Sequence, residues 1–303
     1  MRNTKPMKTK ILRKTFLTLG VALASLTVAH AQNLYVSVNG PLGQPNGSIS
    51  EYTPDGTQIT FASGISMPRG VAFDSTGNLC AAISAVVDDH LVGKAVKFNP
   101  RGRPTAIGAA PFYGLFEGVA IDAAGNVYVL TAGGRYSSTI LKFVPGVSRS
   151  VFGTVLGVGF GLAIDGAGNL YAADSGSDTV ASTIYKFTSD GTRTVFVGPS
   201  AFPDETFPVG LAFDSSGNLF VSTEGDPGSD TILKFTPTGA ESSFATGLTQ
   251  PRGLAFDAAG NLFVAETLAA PNGDILKFTP DGTGSVFATG IDRPEFLAFG
   301  PPR

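Results

Sequence analysis

The residues of this sequence that are best suited to chemistry are four charged side chains at one recurrent position. Each stands directly before a copy of a repeated segment, whose consensus is Gly-hydrophobic-Ala-hydrophobic. They are Arg69, Glu117, Arg252 and Glu295. Guanidinium and carboxylate groups that alternate at a partly desolvated site can position an anionic or polar ligand. The same groups can instead bind one another in a closed ion-pair network. The sequence is compatible with both interpretations.

A second set of candidate ligands consists of acidic residues in the Gly-rich connections between predicted strands. Its members are Asp174, Asp178, Glu224, Asp226, Glu266 and Asp274. Carboxylate oxygens bind calcium, but Asp is also an ordinary turn residue. The spacing matches neither an EF-hand loop nor another dedicated metal motif. We therefore predict no cofactor and no metal ligands, with calcium or another divalent cation as the alternative.

His90 and Cys80 are the remaining side chains that can act as a base or a nucleophile. His90 is the only histidine after residue 31, and it lies with Asp88 and Asp89 in what we predict to be a long loop. A lone histidine in a loop is more often solvated than catalytic. Cys80 lies in an apolar strand pattern, which predicts a buried thiol without a disulfide partner. Phosphate-binding, serine-nucleophile and zinc motifs are absent from the sequence, so we assign no catalytic residue.

The first 31 residues have the composition of a Sec-type signal peptide. Six basic residues come first, an apolar run covers residues 16–28, and Ala29-His30-Ala31 supplies the small residues of a cleavage site. We predict that residues 1–31 are removed and that the protein is exported, to the periplasm or the extracellular space. No other segment approaches the roughly 20 apolar residues of a membrane-spanning helix, so we expect no membrane span.

The charge of residues 32–303 limits the classes of partner. This part of the chain holds 15 basic and 24 acidic residues, which gives a net charge of −9. A surface this acidic disfavours binding to nucleic acids and to anionic lipids. We therefore expect the partner to be a small molecule, a glycan or a protein.

An internal repeat positions these candidate residues. Five copies of the segment end at Asp74, Asp122, Asp165, Asp214 and Asp257, each followed by x-x-Gly-Asn, and a degenerate sixth copy ends at Gly300. The steps between them are 48, 43, 49, 43 and 43 residues, a period typical of propellers. Each repeat contains four short β runs, for example 253–256, 261–265, 274–278 and 284–288. Four strands per repeat predict one propeller blade.

The two ends of the chain complete the count of blades. The first repeat begins with Asn33-Leu-Tyr-Val-Ser-Val, a second strand that has no first strand before it. Residues 297–299 form a first strand that has no second strand after it. We therefore predict an all-β, six-bladed β-propeller of four-stranded antiparallel blades over residues 32–303, closed by pairing of the C-terminal strand with the N-terminal strands.

Residues that recur in every blade are interpreted as structural. The repeated Asp residues stand before a Gly-Asn turn, where a short carboxylate can accept backbone N–H bonds. The Lys-Phe pairs at 97–98, 142–143, 186–187, 234–235 and 277–278 predict a Phe buried between blades and a Lys that lays its stem on the blade surface.

The segments Gly-Leu-Ala-Phe-Asp, Gly-Asn-Leu-Phe-Val-Ala-Glu and Ile-Leu-Lys-Phe-Thr-Pro-Asp-Gly resemble NHL repeats of the TolB-like group of six-bladed propellers, over residues 33–300. Related families in that group are the senescence-marker/gluconolactonase family and the streptogramin B (virginiamycin B) lyases. The first family holds a divalent metal with Glu, Asn and Asp at inner positions, and the second uses an essential histidine with a metal. In blade order the corresponding ring here reads Glu295, Arg69, Glu117, Phe160, Val209 and Arg252.

These observations favour an exported, non-enzymatic binding module. Its ligand or protein partner is expected at the upper loops and the mouth of the central channel, on Arg69, Glu117, Arg252 and Glu295. The alternative is a divergent metal-dependent lactone hydrolase or lyase of the gluconolactonase-like or streptogramin lyase-like kind. One propeller scaffold supports unrelated activities, so the repeat itself does not choose between them.

Overall fold

The structure is a computed structural model that describes residues 32–39, 46–132, 137–147, 149–203, 206–225, 230–268 and 272–301. The predicted signal peptide, residues 1–31, lies outside the described residues. Within them, 24 strands form six antiparallel four-stranded sheets, with a short 3-10 helix at Pro199–Ala201. The prediction of an all-β, six-bladed β-propeller is confirmed. None of the helices in the described part is long and apolar enough to cross a membrane.

Each blade runs from an inner strand at the central channel to an outer edge strand. Blade 1 contains β1 (Leu34–Val38), β2 (Gly47–Tyr52), β3 (Gln58–Ile65) and, from the other end of the chain, β24 (Pro294–Phe299). Blade 2 contains β4 (Pro68–Phe73), β5 (Leu79–Val87), β6 (His90–Phe98) and β7 (Pro104–Tyr113). Blade 3 contains β8 (Leu115–Ile121), β9 (Val127–Ala132), β10 (Ser138–Phe143) and β11 (Ser150–Val155).

Blades 4 to 6 repeat this order. Blade 4 contains β12 (Gly159–Ile164), β13 (Leu170–Asp174), β14 (Thr183–Phe187) and β15 (Arg193–Val197). Blade 5 contains β16 (Phe207–Phe213), β17 (Leu219–Glu224), β18 (Thr231–Phe235) and β19 (Glu241–Thr246). Blade 6 contains β20 (Pro251–Phe256), β21 (Leu262–Glu266), β22 (Gly273–Phe278) and β23 (Gly284–Ile291). We call the face at which the inner strands begin the upper face, and the opposite one the lower face.

The ring closes as predicted, through pairing of the two ends of the described chain. β24 pairs antiparallel with β1, with Leu34 opposite Phe299 and Val36 opposite Leu297. The backbone N–H of Gly300 donates to the carbonyl of Asn33 at 2.9 Å. This pairing gives blade 1 its inner strand.

The six inner strands approach one another so closely that the repeated glycine cannot carry a side chain. A Cβ at Gly70 would lie 2.4 Å from the carbonyl oxygen of Glu117, and a Cβ at Gly210 would lie 1.8 Å from that of Arg252. Both separations are far shorter than van der Waals contact allows. The glycines therefore close the ring tightly and bring the residue before each of them next to its counterpart in the neighbouring blade.

The repeated Asp residues cap the turns of the lower face, as predicted. Asp74 accepts hydrogen bonds from the backbone N–H groups of Thr76 and Asn78 at 3.0 and 2.9 Å, and Lys97 donates to its other oxygen at 2.9 Å. The two backbone bonds recur at Asp122, Asp165, Asp214 and Asp257. These carboxylates are therefore structural.

The repeated Lys-Phe pairs also have the predicted arrangement. All five Phe side chains are buried. The Nζ atoms of four of the lysines lie 5.1 to 5.5 Å from a ring centroid, with Lys142 over Tyr128, Lys186 over Tyr171, Lys234 over Phe220 and Lys277 over Phe263. Cys80 is buried as predicted, and burial raises the pKa of its thiol to about 12.

The prediction of a long loop around His90 is wrong. β5 and β6 form a continuous hairpin of nine-residue strands, and Val87 pairs with His90. Asp88 and Asp89 make the two-residue turn, both with left-handed backbone at φ 48° and 62°. Such turns match the twist of the two strands, and Asp tolerates their positive φ. His90 is therefore the first, exposed residue of a strand.

Candidate functional site

The candidate site is the upper mouth of the central channel. One residue of each inner strand, the one at the glycine-preceding position, occupies a ring around it. In blade order these residues are Glu295, Arg69, Glu117, Phe160, Val209 and Arg252. The ring residue is charged in four adjacent blades, which are blades 6, 1, 2 and 3 in order around the channel.

The structure brings the four predicted residues together in one network of ion pairs. Arg252 donates to Glu295 at 2.8 Å. Arg69 lies 3.5 Å from the same carboxylate oxygen and 3.1 Å from Glu117. The two carboxylates are almost fully buried, whereas the side chains of Arg69 and Arg252 stay 14% and 17% exposed. The network thus joins four successive blades and faces solvent mainly through its cations.

Two further residues complete the network, and the sequence analysis did not place them there. Glu224 accepts from the Nε of Arg252 at 2.8 Å, and Asn39 donates to Glu295 at 3.2 Å. The sequence patterns place Glu224 among the calcium candidates and do not single out Asn39. The signal was available, because both residues lie five positions after the leucine that begins the second strand of their blade, at Leu34 and Leu219.

The backbone before the charged ring residues is strained. Met67, Gln250 and Arg293 have left-handed φ values of 38°, 46° and 55°. Side chains disfavour this conformation, and such strain persists only where the surrounding structure imposes it. Each of the three precedes the proline that opens an inner strand, and the ring residues Arg252, Glu295 and Arg69 follow those prolines. The motif x-Pro-Arg/Glu is therefore a sequence signal of the charged side of the mouth.

Burial sets the electrostatics of the network. It raises the pKa of Glu117 to about 7, against the attraction of Arg69 and with the help of the nearby Glu295 charge. It also raises the pKa of Glu224, against the attraction of Arg252. Burial opposes the charged form of Arg252, but Glu295 and Glu224 outweigh it and keep the pKa of the guanidinium above its usual range. Two cations thus face three carboxylates, and burial brings the pKa of one of these, Glu117, close to neutral pH.

Two polar atoms of the network have no hydrogen-bond partner among the described residues. They are the Nε of Arg69 and the Oδ1 of Asn39, and both are buried. Each belongs to a side chain that donates to Glu295, Arg69 through an Nη atom and Asn39 through its amide nitrogen, so both adjoin the same carboxylate. A buried polar group without a partner costs about 1–3 kcal/mol, and water or a ligand commonly supplies the missing bond.

The other side of the mouth is apolar. Phe160 and Phe207 stack with their ring centroids 6.2 Å apart and their planes at 20°, and both are partly exposed. Val209, which follows Phe160 in the ring order, is buried. Phe207 pairs across the blade with Glu224, so the aromatic pair adjoins the ion-pair network. The mouth therefore offers a charged side and an aromatic side.

The predicted acidic set does not converge. Asp174 accepts three backbone N–H bonds, from Leu156, Gly157 and Gly176, and Glu266 accepts one from Thr249. The set also includes Asp226, which lies outside the described residues. Among those described, no group of three or more His, Cys, Asp or Glu side chains is arranged to hold a metal ion.

The ring itself does not fit a divalent cation. A hard cation needs several oxygen ligands around it. Glu295, the residue nearest to such a role, has its carboxylate bound by the side-chain amide of Asn39 and by the two guanidinium groups of Arg69 and Arg252. Two cationic groups at this distance repel a third, so we derive no chemistry through a metal here.

Comparison with solved structures supports the fold. The chain is similar to a streptogramin B lyase (14% identity over 88% of this chain and 92% of that chain, TM-score 0.61). It is also similar to a gluconolactonase from Xanthomonas campestris (16%, 86% and 87%, TM-score 0.56) and to a virginiamycin B lyase from Staphylococcus aureus (14%, 86% and 86%, TM-score 0.58). No protein-family model and no curated protein matches the sequence. At these identities the likeness establishes the propeller fold that the chain shares with these enzymes.

Proposed function

We propose that the chain is an exported binding protein, an NHL-type propeller that holds a small hydroxyl-bearing molecule or the end of a glycan at the upper mouth of its channel. Arg69, Glu117, Arg252 and Glu295 form the polar side of this site, and no reaction is catalysed there. The observation that carries the proposal is the pair of unpartnered buried atoms beside Glu295, the Nε of Arg69 and the Oδ1 of Asn39.

The chemistry of these two atoms selects the ligand. Nε of Arg69 can only donate a hydrogen bond and Oδ1 of Asn39 can only accept one. A hydroxyl group does both, whereas a carboxylate satisfies only the arginine. The stacked, partly exposed Phe160 and Phe207 add an apolar surface of the kind that binds the flat face of a ring. Polyols and sugars have both features.

Calorimetric titration of the protein with monosaccharides, uronic acids and short oligosaccharides tests the proposal. Binding should be weakened at least fivefold by Arg69→Lys, which keeps the charge and removes the Nε donor. Arg193→Lys is the matched control, because Arg193 lies on the exposed outer strand of blade 4 over the ring of Tyr185. Equal affinities of the two variants, or no binding of any member of the panel, would refute the proposed site.

Export is proposed from residues 1–31. Expression in a bacterium followed by N-terminal sequencing of the extracytoplasmic protein should identify Gln32 as the first residue. Accumulation of uncleaved chain in the cytoplasm would contradict this proposal without affecting the binding site.

The second candidate is a hydrolase or lyase, supported by the enzymes that share the fold. Glu117 adds an observation in its favour, because burial raises its pKa to about 7, where a carboxyl can exchange a proton in a reaction. Titration with calcium, magnesium, zinc and manganese after exhaustive chelation separates the candidates. Tight binding of one metal per chain, with turnover of a lactone that chelation abolishes, would establish the enzyme and refute the binding protein.

A further inference from the structure

A cavity lies on the lower face, at the opposite end of the blades from the channel mouth. It has a volume of about 260 Å³ and lies in the seam between blade 6 and blade 1, where the two ends of the chain meet. Its lining includes the apolar side chains Leu34, Phe263, Phe287 and Phe299, together with Tyr52 and Lys277. Cavities lined by Leu, Ile and Phe bind benzene at about 150 Å³, so this one is large enough for a substituted ring.

The seam departs from the pattern of the other blades. Gly300 stands where the other blades have the turn-capping Asp, and Glu51 stands where they have the Lys of the Lys-Phe pair. Asn33 has the position of the Asn that elsewhere binds the capping Asp, and here it donates to Glu51 at 2.6 Å. In the seam, the carboxylate that binds this Asn is thus on the third strand of the blade instead of in the turn.

Tyr52 is the second departure. It is the last residue of β2, a position at which the other five blades have Phe98, Phe143, Phe187, Phe235 and Phe278. The Tyr52 side chain is 2% exposed, and its hydroxyl has no hydrogen-bond partner among the described residues. Burial raises its pKa to about 12, so the hydroxyl keeps its proton and requires an acceptor.

Lys277 is the cation of the seam, and like Lys142 of blade 3 it forms no ion pair with the capping Asp of its own blade in the described structure. In blades 2, 4 and 5 the corresponding lysines lie 2.9, 4.0 and 3.9 Å from the capping Asp of their own blade. In the described structure Lys277 makes no such pair, and its ammonium lies 5.4 Å from the centroid of Phe263. Asp257 of the same blade, which also lines the cavity, accepts hydrogen bonds from Ala259 and Asn261 of its own turn. The cavity therefore has an uncommitted cation at its lining as well as an uncommitted hydroxyl.

We propose that the seam cavity is a binding site for a small aromatic acid that carries a second polar oxygen. The ring lies among Leu34, Phe263, Phe287 and Phe299, the second oxygen accepts the hydrogen bond of Tyr52, and the carboxylate binds Lys277. Such a ligand supplies an acceptor for the buried hydroxyl, a counter-ion for the ammonium and an apolar body of the right size. Water supplies only the first of these.

This site is independent of the channel mouth, because the two lie on opposite faces and share no residue. A ligand in the seam contacts both ends of the closed ring. Its binding energy therefore adds to the stability of ring closure, and the protein's melting temperature should rise with ligand concentration.

Three probes and two variants test the assignment by calorimetry. 4-Hydroxybenzoate has both polar groups, benzoate lacks the hydroxyl, and phenol lacks the carboxylate. Tyr52→Phe should weaken 4-hydroxybenzoate roughly five- to tenfold and leave benzoate within about twofold. Lys277→Met keeps the apolar stem on Phe263, and it should weaken both acids roughly tenfold or more while leaving phenol unchanged.

Matched controls come from blade 4, where Tyr171→Phe and Lys186→Met remove the same groups far from the cavity. They should leave all three affinities unchanged. Tyr52→Phe is expected to fold, because five blades have Phe at this position. The assignment is overturned if millimolar 4-hydroxybenzoate neither binds nor raises the melting temperature, or if the seam and control variants bind it equally well.

Discussion

The buried carboxyl of Glu117 makes a sharp prediction about stability and pH. Glu117 is 2% exposed, and its guanidinium partner Arg69 is shared with Glu295. Burial therefore outweighs the ion pair and raises the pKa of Glu117 from 4.5 to about 7. Replacing Glu117 with Gln keeps the shape of the side chain and removes the titration.

The sign follows from proton linkage. A carboxyl with a raised pKa binds its proton more tightly in the folded state than in the unfolded state. Its contribution to stability is complete below pH 4.5 and is lost as the pH rises to about 7 and beyond. Each unit of pKa difference corresponds to about 1.4 kcal/mol of folding free energy. The difference between 4.5 and about 7 therefore corresponds to about 3 kcal/mol.

Urea denaturation of the wild type and of Glu117→Gln between about pH 4.5 and pH 8 measures this quantity. The free energy of unfolding of the wild type, minus that of the variant, should fall by about 3 kcal/mol across the range. Glu224, Glu266 and Asp174, whose pKa values burial also raises, are present in both proteins, so their contributions cancel. Glu241→Gln, at an exposed position of β19, is the matched control.

A difference that stays constant within about 0.5 kcal/mol over this range would refute the reasoning, because it would mean that Glu117 has the same pKa in the folded and unfolded states. A difference that grows with pH would show that the ion pair with Arg69 outweighs burial. Either result would also remove the support that Glu117 gives to proton-transfer chemistry at the channel mouth.

Further predictions concern the network, the ring and the thiol. Arg252→Met removes the guanidinium partner of the buried Glu224 and one of the two guanidinium partners of the buried Glu295, and it should lower the free energy of unfolding by about 3–5 kcal/mol, whereas Arg101→Met, at an exposed turn position, should change it by less than about 0.5 kcal/mol. Gly210→Ala, with its Cβ 1.8 Å from a carbonyl oxygen, should cost at least about 1–3 kcal/mol in urea denaturation, whereas Gly166→Ala, with open space around it, should be nearly neutral. Cys80 should resist an aromatic disulfide reagent in the native protein and react only on unfolding, and rapid native labelling would contradict its burial.

The local patterns of the sequence were sufficient for the architecture. Strand periodicity, Asp-x-x-Gly-Asn turns and the 43- to 49-residue period predicted blades, their number and the closure at Leu34 and Phe299. Blades 2 to 6 were predictable because each is a local unit of four consecutive strands with short turns, and the closure was predictable because the first and last repeats each lack the strand that the other contains. The ring of glycine-preceding residues followed from the same repeat.

The partners of the charged ring residues were harder to predict from the sequence. Glu224 was assigned to possible calcium binding, and the structure instead pairs it with Arg252 of the next blade. Asn39 was overlooked, although it binds Glu295 from the opposite end of the chain. His90 was placed in a loop because its neighbours Asp88 and Asp89 are turn residues, but two such residues are enough for a hairpin.

The sequence alone therefore determined the fold, the closure of the ring and the one residue of each blade that faces the channel mouth, because those depend on a repeated local pattern. Only the tertiary structure decided which charges meet, which carboxyl is buried deeply enough to hold a proton near neutral pH, and which polar atoms have no partner. These properties depend on side chains from different blades, separated by up to 256 residues between Asn39 and Glu295. Desolvation and pairing at such distances in sequence arise from the packing of blades against one another, and a local pattern gives the position of each charge without giving its partner.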